Sequence, residues 1–125
     1  MFEQMHHIAI IASDYQQTKT FYVEKLGFEV IREHHRPDKG DIKIDFRFGD
    51  GEIELFINEH APARPSFPEA AGLRHLAFHV THIEEVVATL AEKGITCEPI
   101  RYDTFTNKKM TFFQDPDGLP LELHE

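Results

Sequence analysis

Two histidines and two glutamates recur along this 125-residue chain at one spacing: His7 with His75 and Glu54 with Glu122, each pair 68 positions apart. Neutral imidazole and carboxylate suit divalent Zn, Ni, Co, Fe or Mn, and two carboxylates offset the ion's charge in a poorly solvated site. Four protein donors on a six-coordinate ion leave two positions for water or for two substrate oxygens. An open position separates a catalytic centre from a closed structural one. Such an ion is a Lewis acid that eases loss of the proton next to a chelated carbonyl. Taken singly, each of the four is an ordinary solvated residue at a strand end. Sharing one offset, they are expected to hold one divalent transition metal per site.

The elements that must position them repeat as well. His7-Ile8-Ala9-Ile10-Ile11-Ala12 resembles His75-Leu76-Ala77-Phe78-His79-Val80, and Ile53-Glu54-Leu55 resembles Leu121-Glu122-Leu123. Asp50-Gly51 and Asp117-Gly118 are turn signals introducing the last strand of each half. The capping-box pairs Ser13/Gln16 and Thr81/Glu84 open a helix in each. The first helix is expected over Tyr15–Leu26, and the second carries the stripe Ile83, Val86, Val87, Leu90 and Ala91. Further strands are expected at 28–33, 42–48 and 52–57, then at 96–102, 110–114 and 119–124. The unit is βαβββ, used twice: module one 1–59, a Pro-rich linker 60–72, and module two 73–125. The fold class is α+β, with both modules forming one cupped mixed sheet and the helices on its convex face. Strand side chains alternate between faces, so the apolar sets cover the helices and His7, Glu54, His75 and Glu122 fall on the concave side.

Composition narrows the function. Thirteen Lys+Arg against 22 Asp+Glu give a formal charge of −9, which repels a phosphate backbone, so nucleic acid is excluded as a partner. The single cysteine, Cys97, forbids an internal disulfide or a Cys-rich zinc module and is read as a packing residue. No basic leader and no long apolar run is visible, so a cytoplasmic location with no membrane partner is expected.

The motifs His7-x-Ala-Ile-x-Ala-x-Asp14, Phe21-Tyr22-x-x-x-Leu26-Gly27-Phe28, Ile53-Glu54-Leu55-Phe56, Arg74-His75-Leu76-Ala77-Phe78 and Asp115-Pro116-Asp117-Gly118-Leu119-Pro120-Leu121-Glu122 resemble the vicinal oxygen chelate superfamily. That group holds glyoxalase I, epimerases, extradiol dioxygenases, fosfomycin-resistance enzymes and bleomycin-binding proteins. The pattern is most similar to small bacterial glyoxalase I-like proteins. The resemblance implies His7, Glu54, His75 and Glu122 as metal ligands, with Glu122 as general base and Glu54 as a possible second. It implies a metal-dependent lyase or isomerase moving a proton beside the carbonyl of a small substrate, thiol-conjugated or not. It also implies a homodimer. Bacterial glyoxalase I carries an arginine for glutathione at the place of Ile11; its asparagine after the first glutamate is matched by Asn58.

The remaining substrate-binding candidates are Arg47, Arg74, His79 and Lys108, beside the further cations Lys43 and Lys109. Phe105–Lys109 reads as a loop able to close over substrate. One of Phe112 and Phe113 should be core and the other should face the cup. His6 is read as structural, and His34, His35, His60 and His82 as exposed. Two other classes compete. A metal-free antibiotic-binding module would lack the full quartet; an epimerase of the same superfamily is the other alternative. A dioxygenase or a fosfomycin thiol transferase would use three protein ligands.

Overall fold

The computed structural model describes residues 1–125. They form two compact units, Met1–Ala63 and Arg64–Glu125. Each unit carries its own four-stranded mixed sheet, so the fold is α+β with βαβββ used twice. No helix is long and apolar enough to cross a membrane.

In the first unit β1 (His7–Ala12), β2 (Val30–Arg36), β3 (Asp41–Phe48) and β4 (Gly51–Ile57) lie in the order β1-β4-β3-β2. The β1–β4 pair is parallel and the others are antiparallel. Ile10, Ala12, Ile44, Phe46, Ile53, Leu55 and Ile57 alternate onto one face and are buried. The helix covers that face through Tyr22, wholly buried and stacked on Phe46 with ring centroids 5.9 Å apart. Phe28 completes the cluster at 6.0 Å from Phe46. Each such ring contributes roughly 2–3 kcal/mol by burial, so this cluster fixes helix to sheet.

The helix departs from a plain α-helix. α1 spans Tyr15–Lys19 and runs into a π-helical stretch, Thr20–Lys25, whose wider turn is seen in the Leu26 N–H donating to the Phe21 carbonyl. Its cap is Asp14, not Ser13: the Asp14 carboxylate accepts from the Gln17 N–H at 2.7 Å. The capping box was placed one residue early, because Ser13 and Asp14 are both good caps. Gly27, at φ +78°, ends the segment.

The second unit has β5 (Leu76–His79), α2 (Ile83–Glu92), β6 (Arg101–Tyr102), β7 (Lys109–Gln114) and β8 (Pro120–His124), with sheet order β5-β8-β7-β6. Again the first and last strands pair in parallel. Leu76, Ile83, Leu90, Ile95, Phe113, Leu121 and Leu123 form the core, while Ala91, expected in the helix stripe, is exposed. Two expectations fail here. Thr81 does not cap α2; the Glu125 carboxylate accepts from the Ile83 N–H at 3.2 Å instead. The strand expected at 96–102 shrinks to two residues. Pro99 has no N–H to give a ladder, and ahead of β6 the segment meets β7 through the Glu98 N–H to the Phe112 carbonyl and the Thr111 hydroxyl to the Glu98 carbonyl.

Candidate metal-binding half-sites

The parallel pairing of first and last strands is what brings a histidine to a glutamate in each unit. In the first, Ala9 is the register partner of Glu54, which puts His7 diagonally beside it on the polar face. His7 Nε2 lies 3.7 Å from Glu54 Oε2. In the second, Ala77 is the register partner of Glu122, and His75 Nε2 lies 2.9 Å from Glu122 Oε2. Two donors bound at about 2.1 Å to one ion sit roughly 3.0 Å apart at a right angle and about 3.4 Å apart at a tetrahedral angle. The second pair matches the right-angle value, while the first, at 3.7 Å, stands about 0.3 Å wider than the tetrahedral one and would have to close slightly around an ion.

The surroundings of the two pairs differ sharply. Across from Glu54 stands Asp45, only 1% exposed, with Lys43 Nζ 2.6 Å from Oδ1 and Arg32 Nε 2.8 Å from Oδ2. An irregularity in β2 between Val30 and Arg32 brings Arg32 opposite Asp45, and the same guanidinium reaches Glu52. Lys43 Nζ also lies 3.0 Å from Glu54 Oε1, leaving Oε2 toward His7. Burial alone would raise the Asp45 pKa, but the hydrogen bonds from Lys43 and Arg32 outweigh it and lower it. Burial likewise opposes charge on Lys43, yet its bonds to Asp45 and Glu54 hold its pKa above the ordinary value. Asp45, Glu52 and Glu54 bring their oxygens within 4.8 Å of one another. That acidic group already holds cations of its own in Lys43 and Arg32.

Across from Glu122 stands Phe112. Its ring meets the His75 imidazole edge-on, with centroids 5.3 Å apart, and the Arg101 guanidinium lies over the same ring, 5.3 Å from its centroid. His75 Nδ1 is buried without a hydrogen-bond partner. Phe113 is the core member of the Phe pair and Phe112 the one on the glutamate's face. Two residues past Glu122, His124 is held by Asp103, with Nε2 3.3 Å from Oδ2, and this hydrogen bond raises its pKa.

The substrate candidates are dispersed. Arg47 shares the face of Glu54, is more than half exposed and lies 3.9 Å from Glu29. Asn58 turns its side chain back to accept from the His60 N–H at 2.9 Å. Arg74 is exposed and bound to Glu69, and His79 is exposed opposite His124. Lys108 is exposed in the 103–108 turn, where Asp103 Oδ1 accepts from the Phe105 N–H at 2.7 Å and Asn107 takes a φ of +56°. Sequence reasoning missed the Arg32–Asp45–Lys43 chain and the His124–Asp103 pair. The period of two carried the signal for both, since Lys43 and Asp45 share the face of Glu54 and His124 that of Glu122.

A duplicated βαβββ chain is the architecture of the vicinal oxygen chelate fold. The family model described as Glyoxalase/Bleomycin resistance protein/Dioxygenase superfamily matches residues 4–123, and the chain belongs to that superfamily. It is 54% identical to a Bacillus subtilis (strain 168) protein named "Uncharacterized protein YwkD", over all of this chain and 98% of the relative. It is 68% identical to a solved glyoxalase family protein from Enterococcus faecalis, with a TM-score of 0.96, covering 99% of this chain and 98% of that one. At 29% identity it is similar to "Glutathione transferase FosA" of Serratia marcescens, over 99% of this chain and 82% of the relative.

Proposed function

We propose that the protein is a metal-dependent, glyoxalase-like lyase or isomerase that moves a proton next to the carbonyl of a small substrate. The observation that carries the reading is the repetition of a His–Glu pair on the polar face of both modules, 3.7 Å apart in the first and 2.9 Å in the second. On this reading His7, Glu54, His75 and Glu122 together hold one divalent transition ion, the two pairs coming from one chain or from two copies in a cytoplasmic homodimer. The donor set, two imidazoles and two carboxylates, suits Zn, Ni, Co, Fe or Mn. When bound, the ion supplies Lewis acidity toward a carbonyl oxygen.

The chain's own groups do the rest. Glu122 is 9% exposed and faces Phe112, a surrounding that keeps water from competing for a proton on its carboxylate. It takes the proton from the carbon beside the carbonyl and returns it to the neighbouring carbon. Arg47, Asn58, Arg74, His79 and Lys108 are the residues proposed to recognise substrate. Among them Arg47 and Lys108 offer exposed cations to an anionic group.

The test is elemental analysis of untagged protein beside the Glu54→Gln/Glu122→Gln variant, followed by proton–deuterium exchange on α-hydroxycarbonyl and hemithioacetal compounds. About one transition metal per wild-type site, lost in the variant and coupled to exchange, is expected. Absence of metal uptake from Ni, Co, Zn and Mn solutions would refute the reading. The similarity to a glutathione transferase favours a second reading, transfer of a thiol at the same centre. That chemistry consumes a free thiol, which the exchange reaction does not.

A further inference from the structure

The repeat makes Asp45 the counterpart of Phe112 and Lys43 the counterpart of Met110, since each pair occupies the same register positions opposite the module's glutamate strand. Around two matched His–Glu pairs, one module has placed the acid Asp45 and the ammonium of Lys43, and the other the uncharged Phe112 and Met110. Such a difference at positions facing the two glutamates gives them unequal freedom. The Glu54 carboxylate is shared, with Oε1 3.0 Å from Lys43 Nζ and Oε2 3.7 Å from His7 Nε2. Lys43 is itself fixed, because its ammonium also lies 2.6 Å from the buried Asp45 and 5.5 Å over the Phe56 ring, and Arg32 holds the other Asp45 oxygen. Glu122 has the His75 imidazole as its ion-pair partner, with His124 acting on it electrostatically from the same strand face and no lysine at either oxygen.

We propose that Lys43 is a positioning residue that occupies one oxygen of Glu54, so that Glu54 serves only as a one-oxygen metal donor and Glu122 is left as the carboxylate free to move a proton. This rests on the metal-centred function proposed above and deepens it. Charge-assisted hydrogen bonds between an ammonium and two carboxylates are strong and directional, and Lys43 is only 18% exposed, so water competes poorly for either oxygen. Chelation through both oxygens would bring the ion against the Lys43 ammonium, so a carboxylate held at Oε1 binds through Oε2. The position it leaves open is then available to substrate. The lysine's positive charge near the ion also weakens binding, which favours an exchangeable centre over a closed one.

Mn(II) is the probe, because its electron spin resonance signal reports affinity and its effect on water proton relaxation counts the waters on the bound ion. Wild type, Lys43→Met, Lys43→Arg and the double variant Lys43→Met/Asp45→Asn are compared. The double variant removes the buried acid that the single one leaves short of a partner, and so guards against misfolding. In both Met variants Mn(II) should bind about tenfold more tightly and carry about one water fewer, as the second Glu54 oxygen takes its place. Lys43→Arg, which keeps a donor on Glu54, should behave as wild type. Wild type and Met variants with equal affinity and equal water count would overturn the role of Lys43 and leave the metal reading standing. Mn(II) on the Met variants but never on wild type would sustain the hold on Glu54 and overturn the metal reading for the native chain. Mn(II) on none of the four would overturn both.

Discussion

Replacing Glu33 by Gln tests how the first helix is fastened to its sheet. Glu33 stands on β2, and its Oε1 accepts from the Tyr15 hydroxyl at 2.5 Å while its Oε2 accepts from Lys19 Nζ at 3.0 Å. Lys19 also donates to the Tyr15 oxygen at 2.8 Å, closing a triangle between α1 and β2. Glutamine keeps the shape but turns an amide NH2 toward one of two donors, so one bond is lost and the other becomes neutral. Bonds to a buried charge contribute about 1.5–3 kcal/mol. Glu33 is about one-fifth exposed and Lys19 about one-third, so screening reduces the loss to roughly 1–2 kcal/mol. For a chain of this length that is a fall of about 3–8 °C in Tm at pH 7. The pH dependence has a definite sign. The Tyr15 hydrogen bond first, and Lys19 after it, hold the Glu33 pKa below its ordinary value in the folded state. Its stabilisation is therefore present above the unfolded carboxylate pKa of about 4.3 and is lost as pH falls through the lower folded value. Urea unfolding at pH 7, 5 and 3 should show the wild type ahead by the same margin at the first two and by much less at the third. An equal margin at pH 3, or none at pH 7, would refute the reasoning.

Glu125→Ala should free the Ile83 N–H and cost about 1 kcal/mol, the usual value of an N-cap. Amide exchange would show it as faster opening of the first turn of α2, with β7 and β8 unchanged. Gly118→Ala should cost about 1–2 kcal/mol through backbone conformation alone, because φ is +83° and an added Cβ meets nothing within 4 Å. A Tm equal to wild type would show that the turn before β8 relaxes without penalty.

Much of the architecture was legible because the duplication tests itself. Ile53-Glu54-Leu55 and Leu121-Glu122-Leu123 could each be an isolated strand fragment, but a common offset with His7 and His75 ties strand, face and partner together. The side-chain period of two then placed histidine and glutamate on one face of each sheet, as the register shows. What escaped was whatever depended on a third residue. Lys43 stands in the sequence only as a further cation near the substrate candidates, because sequence shows its strand face but not that two carboxylates converge on its ammonium. Glu125 as a helix cap is a contact across 42 residues, beyond any local signal. The π-helical stretch adds one residue to a turn whose apolar spacing still looks ordinary, since Phe21 and Tyr22 are buried either way.

The pairing of first strand with last, in parallel, has a consequence for when each histidine meets its glutamate during synthesis. His7 and Glu54 belong to opposite ends of one module, as do His75 and Glu122 of the other, and parallel neighbours need a long crossover before they can meet. Contacts so distant along the chain close late, after the hairpins between them have formed. A partly made module emerging from the ribosome thus offers single imidazoles and single carboxylates, each a weak ligand. Each His–Glu pair exists only once its module is complete, so on the metal-dependent reading proposed above, capture of an ion would follow finished folding and a stalled chain would compete poorly for one.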